Sequence, residues 1–492
     1  MNLYSTFNPL LQSSQETHIH PNELTRFARG FLFGEKSENT TYPQHWVENQ
    51  FHGMTLATDP RVNLGITDTV VLLGLAIDVI SGNSDLQHIS NDLARALRTS
   101  RTSFQNLLNT LSGRFVVISF QDGEFKVQTD STGMRTVFFT EPPLAPMISS
   151  HENLLSQNQK LDLSVYGNPN YLKENYLTAM PGRTTKYANV KALTPNTEID
   201  MLTAQCRRVF DGKGFQVLNT PTAARNISRD IKNQIPALLQ ENQISLSLTA
   251  GLDSRATLAM LRNIKEDIDC FTYEFSFRDT NKANRYDVTA ASEISKKFDL
   301  NHRIIDITSP DLPHHIKKDL MEISNRSHAR ALANAYLEEE IFGLHIRSNL
   351  YEIGRSQYLL SEHGKHDIDA KAMLNIASNN RSKDKHALAA FEEFIQSTDF
   401  YSIENISLHD AYFWEYRLSR WLSPVMLESD IAHNTHTVIN SRKTLLTFLS
   451  VDLESRKKAS LFLEIIRQEW PEFLSIPING TDHSGFITTE KA

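Results

Sequence analysis

The stretch Ile244–Leu258, with the sequence ISLSLTAGLDSRATL, organises the rest of the chain. Leu246 and Leu248 alternate with two serines, which is the pattern of a β-strand. A turn of small residues follows at 249–251, and apolar residues recur at helical spacing from Ala256 onward. We therefore predict a strand, a short turn and the start of a helix. In α/β proteins this arrangement presents free backbone N–H groups and a helix dipole to an anion.

The side chains of this stretch suit a phosphate group and its metal ion. Thr249 and Ser254 add hydroxyl donors, and Asp253 supplies a hard oxygen ligand for a phosphate-bound Mg²⁺. Turns of this composition also occur as plain strand–helix connections. Spacing alone therefore leaves a phosphate site and a purely structural turn as alternatives.

Composition limits the class of protein. The chain has 492 residues, long enough for two or more domains, and its 40% apolar and 22% charged residues are typical of a soluble globular protein. A net charge of −8 argues against a nucleic-acid partner, because such binding needs basic surface. The two cysteines, Cys206 and Cys270, cannot build a disulfide framework or a zinc site, and no apolar run is long enough to span a membrane. We expect a cytoplasmic protein without a membrane partner.

The first part of the chain gives a mixed pattern. Residues 1–60 are polar and irregular, Thr69–Ile80 is predicted as a buried helix, and the spacing of leucines predicts a second helix over Asn91–Leu111. Gly113–Phe120 and Glu124–Thr129 read as two strands joined by an Asp-Gly hairpin turn. This part is predicted to be α+β.

The second part alternates strands with helices. A boundary is predicted near Asp211–Thr222, followed by a helix over Ala223–Leu239 that leads into the strand quoted above. Ile268–Phe277 is a second strand, Tyr286–Phe298 a helix and Ile304–Ile307 a third strand. Strands and helices in this order predict a parallel sheet whose ligands lie at the carboxyl ends of the strands. The C-terminal third is predicted to be helical.

The segment that follows the quoted strand closely resembles the pyrophosphate-binding loop of the asparagine synthetase family, usually Ser-Gly-Gly-x-Asp-Ser. It departs from that pattern at Thr249, which keeps the hydroxyl, and at Ala250, whose methyl group requires a negative φ. The resemblance implies that Leu248, Thr249, Gly251, Asp253 and Ser254 bind ATP. In the family, the strand that matches Ile268–Phe277 lines the adenine pocket, which implies that Tyr273 stacks on the base; plain sheet packing is the alternative.

The N-terminal part resembles the glutaminase domain of class II amidotransferases, an Ntn-hydrolase fold. The residues that match its Leu-x-Gly-x-Phe and Asp-x-x-Gly-x-Arg-x-x-Phe segments are Leu111, Gly113, Phe115, Asp130, Gly133, Arg135 and Phe138. Glutamine hydrolysis in that family needs an N-terminal cysteine, and position 2 is Asn2, which cannot act as such a nucleophile. We therefore expect a layered scaffold without glutaminase activity, in which Asp130 and Arg135 have structural roles.

Two further segments resemble the synthetase. The segment 344–358 occupies the place of the family's Ser-Gly-x-Gly-x-Asp-Glu loop, which implies that Glu352 binds metal or takes a proton, with Tyr351 beside it as a second proton acceptor. The alternative is a buried structural pair of Glu352 with Arg355. Leu449–Lys458 matches the family's phosphate-binding lysine segment, which implies that Lys458 stabilises charge in the transition state. The alternative there is an exposed basic helix.

Taken in order, these segments are identified as those of an asparagine synthetase-like protein with two domains. The resemblance implies an inactive Ntn-hydrolase-like layered domain at 1–215 and an α/β ATP-pyrophosphatase domain at 216–492. It implies catalytic Glu352, Lys458 and Tyr351, and a metal site at Asp253 and Glu352.

The implied reaction uses ATP and Mg²⁺ to adenylate a carboxylate on a small molecule or peptide, and an amine then forms the amide. A secondary-metabolite or modified-peptide pathway, such as antibiotic biosynthesis, is our first expectation, because relatives without that cysteine close β-lactam or lasso-peptide rings. A second copy of the chain and a pathway protein are the protein partners considered. The alternatives are an ammonia-dependent amidotransferase and a non-catalytic nucleotide-binding scaffold or sensor.

Overall fold

In the computed structural model, which describes residues 25–213, 215–276, 282–309, 311–324, 329–361, 364 and 367–488, the chain forms three β-sheets. Two are antiparallel and have six strands each, and the third is parallel and has five strands. The mixed α/β character expected from the sequence is therefore confirmed. Asn2 and Phe277 lie outside the described residues.

The two antiparallel sheets contain every described strand from 31 to 208. The first has the spatial order β10-β8-β9-β1-β3-β2, with strands β1 Phe31–Gly34, β2 Val47–Phe51, β3 Met54–Thr58, β8 Phe138–Thr140, β9 Met147–Ser149 and β10 Val190–Ala192. The second has the order β12-β11-β7-β6-β5-β4, with strands β4 Leu64–Ile66, β5 Val70–Asp78, β6 Leu111–Gln121, β7 Glu124–Thr129, β11 Thr197–Asp200 and β12 Cys206–Arg208. The sheets pack face to face around buried side chains such as Phe33, Val71 and Ile118.

Helices cover the outer faces of this sandwich. Helices α1 (Leu86–Thr99) and α2 (Arg101–Leu108) pack against the second sheet, and α3 (Glu152–Asn158) packs against the first. A short helix, α4 (Tyr171–Glu174), follows. The result is a layered arrangement of helix, sheet, sheet and helix.

Two predictions for this part were wrong. Thr69–Ile80 is not a helix, because it contains strand β5, whose residues are buried on both faces between the other sheet and α1. Residues 1–60 are not wholly irregular, because β1, β2 and β3 lie within them. The predicted hairpin of β6 and β7 is confirmed, and its turn residues Asp122 and Gly123 have φ of +54° and +84°.

The parallel sheet positions the candidate site. Its spatial order is β15-β14-β13-β16-β17, with strands β13 Ile244–Ser247, β14 Ile268–Glu274, β15 His302–Asp306, β16 Leu344–Ile346 and β17 Asn434–His436. The chain moves outward from β13 to β15 and then returns to the other side of β13 at β16. We call the region between the loops that follow β13 and β16 the crevice, because the strand order reverses there and α/β sheets bind their ligands at such a point.

Helices surround this sheet and form the end of the chain. Those that precede the sheet are α5 Thr220–Lys232 and α6 Ile235–Leu238, and those between its strands up to β16 are α7 Leu252–Met260, α8 Lys282–Phe298, α9 His314–Ile323 and α10 Arg330–Glu338. Those that follow β16 are α11 Ala370–Ser378, α12 Lys385–Ser397, α13 Leu408–Tyr412, α14 Ser423–Ser429, α15 Arg442–Leu449, α16 Leu453–Lys457 and α17 Ser460–Glu469, with a π-helical segment at Phe413–Leu422. Among the described residues, none of the helices has the length and apolar character needed to cross a membrane.

Candidate functional site

The loop between β13 and α7 lies at the carboxyl end of the central strand. Leu248 extends the strand pairing, because its N–H donates to the carbonyl of Phe271 at 2.8 Å and its own carbonyl accepts from Thr272 Oγ1 at 2.7 Å. His302 Nε2 contacts the same Thr272 hydroxyl at 2.9 Å. Ala250 does not adopt a positive φ, so its methyl group is compatible with this turn.

The backbone N–H groups of the loop are already hydrogen bonded. The N–H of Thr249 donates to Ser254 Oγ at 3.1 Å, that of Ala250 to Asp287 Oδ1 at 2.9 Å, and that of Gly251 to Thr249 Oγ1 at 3.1 Å. Helix α7 then begins at Leu252 without a side-chain cap, because Gly251 precedes it. The donors available to an anion are therefore those of the first turn of α7.

Asp253 lies in that first turn and faces the crevice between β13 and β16. Its Oδ2 accepts a hydrogen bond from Arg355 Nη2 at 2.9 Å, whereas its Oδ1 is buried and has no hydrogen-bond partner. Burial raises the pKa of Asp253, Arg355 opposes the rise and the Glu352 carboxylate adds to it, and together they leave the pKa at about 7. A proton or a cation at Asp253 would therefore be stabilised.

Glu352 enters the same crevice from the loop that follows β16. It lies in the 3₁₀ helix Tyr351–Arg355, and its Oε2 is buried without a hydrogen-bond partner. The expected alternative, a pair between Glu352 and Arg355, was wrong, because Arg355 pairs with Asp253. Two neighbouring carboxylates, each with an unpartnered oxygen, suit Mg²⁺, which takes one or two protein carboxylates and completes its shell with phosphate and water. Within the described part of the chain, no group of three or more His, Cys, Asp or Glu residues could hold a metal.

The backbone at both ends of this 3₁₀ helix is left-handed. Leu350 has φ of +76° and Ser356 has φ of +49°, which is uncommon for residues other than glycine. Arg456, which belongs to α16, connects this 3₁₀ helix to the C-terminal helices. Its guanidinium donates to the carbonyl of Ile353 at 2.9 Å and to Asp410 Oδ2 at 3.0 Å. The position of Glu352 is thus determined by contacts with the helical C-terminal part.

Tyr351 is fully buried beneath the site. Its hydroxyl accepts a hydrogen bond from Thr257 Oγ1 at 2.7 Å, and its ring lies 5.6 Å from that of Phe448 and 5.9 Å from that of Phe462. Burial raises the pKa of the phenol well above its usual range. Tyr351 therefore remains neutral in the folded protein.

The remaining predicted residues lie at the edge of this arrangement. Lys458 is exposed at the end of α16 and forms neither a hydrogen bond nor an ion pair with Asp253 or Glu352. Tyr273 is half-buried near the end of β14, one residue beyond the Thr272 that contacts Leu248, and its ring packs against Phe275 at 5.4 Å. The structure brings Asp253, Glu352 and Tyr351 together with the loop and leaves the ammonium group of Lys458 outside the cluster.

Three participants were not predicted as site residues. Arg355 and Asp287 bind the loop region through Asp253 and Ala250, as described above. The third is the segment near the C-terminus, where the N–H of Asn479 donates to the carbonyl of Ala250 at 3.3 Å and Arg255 Nη1 donates to the carbonyl of Ile476 at 2.7 Å. No pattern in the sequence had pointed to that contact.

Comparison of the chain with protein-family models gave no match, and comparison with curated proteins gave no significant similarity. The functional inference therefore depends on the geometry of the site and on the motifs in the sequence.

Proposed function

We propose that the protein is an AMP-forming, ATP-dependent amide ligase of the asparagine synthetase type. The observation that carries this proposal is the pair of unpartnered carboxylate oxygens, Asp253 Oδ1 and Glu352 Oε2, at the crevice where the strand order reverses. A buried carboxylate oxygen without a donor is costly unless a cation or a proton satisfies it. A magnesium ion bound to a nucleotide would supply a cation to these two oxygens, at the place where α/β sheets bind ligands.

In this proposal the residues have distinct roles. Asp253 and Glu352 would hold Mg²⁺, which would supply positive charge against the negative charge of the departing pyrophosphate. The first turn of α7 and the hydroxyls of Thr249 and Ser254 hold the phosphates beside Gly251 and Leu248. Tyr273, on the next strand, stacks on the adenine.

The proposed reaction has two steps. An oxygen of the substrate carboxylate attacks the α-phosphorus of ATP, the bond to the β-phosphate oxygen breaks, and pyrophosphate leaves. The nitrogen of an amine then attacks the carbonyl carbon of the acyl-adenylate, loses a proton and displaces AMP. Glu352 is the proposed acceptor of that proton, and Lys458 stabilises charge if substrate binding draws it inward. Proton acceptance by Tyr351 is the weaker alternative, because its phenol is buried against Thr257.

The N-terminal residues 1–215 are proposed to be an Ntn-hydrolase-like domain without glutaminase activity, and 216–492 the ligase domain. The layering of two antiparallel sheets between helices supports this assignment. The amine would then come from the substrate itself or from a second small molecule. Ring closure in the first case and amide formation between two molecules in the second both fit a cytoplasmic secondary-metabolite pathway.

A specific contact favours a second candidate, a nucleotide-binding protein without catalysis. Arg355 occupies Asp253 Oδ2, and the N–H groups of Thr249, Ala250 and Gly251 all have intramolecular acceptors. A loop closed in this way can bind a nucleotide weakly and still fail to bring the phosphates to the reacting position.

Exchange of labelled pyrophosphate into ATP distinguishes these candidates. Wild type, Asp253→Asn and the exposed control Glu338→Gln are compared with Mg²⁺ and a panel of carboxylic acids, and Mg·ATP binding is measured in parallel. The ligase is supported if wild type and Glu338→Gln exchange pyrophosphate and Asp253→Asn does not. The sensor is supported if wild type binds Mg·ATP but exchanges no pyrophosphate with any of the carboxylic acids. If wild type shows neither binding nor exchange, the nucleotide site is refuted.

A further inference from the structure

A groove lies between helix α3 of the N-terminal sandwich and helix α9, which follows β15 of the parallel sheet. It contains a cavity of about 620 Å³. That volume is typical of a small-molecule site, and such sites often lie where two parts of a protein meet. None of the described residues that line the groove belongs to the site at Asp253 and Glu352. The groove is therefore a separate candidate site.

One face of α9 gives the groove most of its charge. His314, Lys317, Lys318 and Met321 line the cavity, and their spacing of three or four residues places them on the same side of the helix. The apolar residues that α9 buries in the core are Ile316, Leu320 and Ile323. Burial of that apolar side leaves both lysines on the side that borders the groove.

A third lysine lines the groove from the N-terminal sandwich. The ammonium group of Lys186 lies 5.1 Å from the ring centroid of Tyr187, and the hydroxyl of Tyr187 donates to Asn153 Oδ1 at 2.9 Å. Asn153 belongs to α3, and its Nδ2 donates to the carbonyl of Glu322 at the end of α9, at 2.6 Å. Hydrogen bonds within the protein therefore join the two walls of the groove.

The carboxylates near the groove have partners of their own. Glu322 is the one carboxylate among the described residues that line the cavity, and it accepts from Arg26 Nε at 2.9 Å. Asp319, also on α9, is buried and accepts from the hydroxyl of Thr25. Glu152, at the start of α3, is buried and accepts a backbone N–H at 3.3 Å. None of these three forms an ion pair with a lysine of the groove among the described residues.

The groove is consequently a positive region on an acidic protein. Among the described residues, Lys186, Lys317 and Lys318 form no ion pair, whereas the whole chain has a net charge of −8. A cleft lined by charges of one sign focuses their field and raises the local concentration of ions of the opposite sign. The ligand that suits this cleft is therefore an anion.

We propose that the groove binds a phosphorylated small molecule. Lysine ammonium groups act on phosphate as point charges, whereas the planar fork of arginine matches carboxylates, and no arginine is among the described residues that line the groove. Met321 is 54% exposed and offers an apolar surface to the carbon skeleton of such a ligand. The ligand contacts α3 and α9 at once. It uses no residue assigned to the proposed ligase reaction.

Phosphate binding by the full chain, in buffer without Mg²⁺, tests the proposal. Glucose 6-phosphate, pyrophosphate and citrate are titrated by calorimetry at equal ionic strength, with citrate as the carboxylate comparison. At least one phosphate should bind wild type, and the double variant with Lys317→Gln and Lys318→Gln should bind it at least about tenfold more weakly. Lys186→Gln should weaken binding at least about threefold. Saturating phosphate should also slow hydrogen exchange in wild-type peptides from α3 and α9.

The matched control is Lys371→Gln, at an exposed lysine of α11 outside the groove, which should leave binding unchanged. Ser254→Ala, in α7, should leave it unchanged as well. If Ser254→Ala weakens binding and the lysine variants do not, the phosphate lies at α7, which refutes the groove and supports the nucleotide site. The groove is also refuted if no phosphate binds, or if Lys186→Gln binds as wild type does. Citrate that binds as tightly as the phosphates would refute the assignment to a phosphorylated ligand.

Discussion

Arg355 Nη2 donates to Asp253 Oδ2 at 2.9 Å, and this contact joins two loops whose residues are 102 positions apart in the chain. The guanidinium of Arg355 also lies 5.4 Å from the ring of Phe462, which holds it in place. One oxygen of Asp253 is therefore occupied by an internal cation, and the other is left for a ligand. The contact makes the charge of Asp253 sensitive to its neighbours.

The first prediction concerns the pH dependence of pyrophosphate exchange. Burial raises the pKa of Asp253 to about 7, so below that pH the carboxyl is protonated and cannot hold a cation. Exchange should therefore rise as the pH rises through about 7. Arg355→Gln removes the charge that lowers the pKa of Asp253, and the acidic limb of the pH profile should move upward by at least about one pH unit. A limb that stays in place, or moves downward, would contradict this assignment.

The second prediction concerns Glu352. Glu352→Gln keeps the shape of the side chain but removes a proposed metal ligand, so the Mg²⁺ concentration for half-maximal exchange should rise at least about tenfold. The same change removes a negative charge that raises the pKa of Asp253, so the acidic limb should move to lower pH, opposite to the effect of Arg355→Gln. Glu338→Gln, at an exposed carboxylate, serves as the control. An unchanged Mg²⁺ requirement would exclude Glu352 as a ligand.

The third prediction concerns the anchoring of the loop. Asp287→Ala removes the acceptor of the Ala250 N–H, and the hydrogen-exchange rate of that amide should rise at least about tenfold. Asp287→Asn keeps a carbonyl oxygen in place and should exchange nearly as slowly as wild type. Exchange measured by mass spectrometry on a peptide that contains Ala250 checks both results. Equal rates in the two variants would show that Asp287 does not hold the loop.

The fourth prediction concerns Tyr351. Tyr351→Phe removes a buried hydroxyl that accepts from Thr257 Oγ1, and should lower the free energy of unfolding by about 1 kcal/mol. Because the phenol is buried and its pKa is raised, pyrophosphate exchange and amide formation should both stay within about threefold of wild type, far less than the loss expected for a general base. A loss of about a hundredfold in amide formation with exchange intact would instead identify Tyr351 as the proton acceptor.

The fifth prediction concerns stability in acid. His436 is fully buried, with Nε2 at 2.9 Å from Gln234 Oε1, and burial lowers its pKa from 6.5 to about 3. Between these two values the unfolded chain binds a proton that the folded chain does not. The free energy of unfolding should therefore fall below pH 6.5, by about 1.4 kcal/mol for each pH unit from this histidine alone.

Urea unfolding of wild type and His436→Asn at two pH values checks the contribution of His436. The variant should lose less stability than wild type between pH 6.5 and about 5.5. His88→Gln, at an exposed histidine, should behave as wild type. Identical pH dependence in wild type and His436→Asn would contradict the assignment of a neutral buried imidazole.

The fold was predictable where a turn or an alternating pattern marks an element, and it was not predictable where a continuous apolar run carries neither signal. The hairpin of β6 and β7 was found because an Asp-Gly turn separates two apolar runs. Strand β5 was mistaken for a helix because its eight buried residues form a continuous apolar run without alternation. Gly74, with φ of +112°, was the available strand signal, since a Cβ there would lie 2.3 Å from the carbonyl oxygen of Arg114.

The sequence allowed the candidate residues of each loop to be predicted, but not the contacts between the loops. The strand, turn and helix around Asp253 follow from local pattern, whereas Glu352 was identified only by the resemblance of its segment to a loop of the synthetase family. The partner of Arg355 could not be predicted, because Asp253 and Glu352 are both carboxylates and the choice between them is made by the packing of distant segments. The exposure of Lys458 likewise depends on how the buried Arg456 fixes α16.

The hydrogen bonds from Arg255 to the carbonyls of Ile476 and Pro477 have a consequence for synthesis of the protein. Arg255 lies just past the middle of the sequence, and its acceptors emerge from the ribosome more than two hundred residues later. Until then a buried guanidinium lacks its acceptors, and the neighbouring loop lacks the bond from Asn479 to Ala250. A chain terminated before Phe473 would therefore keep its three sheets but lose the hydrogen bonds that hold Arg255 and the loop at Ala250. Emergence of the segment at 476–479 from the ribosome, rather than folding of the parallel sheet, therefore completes the contacts around the loop.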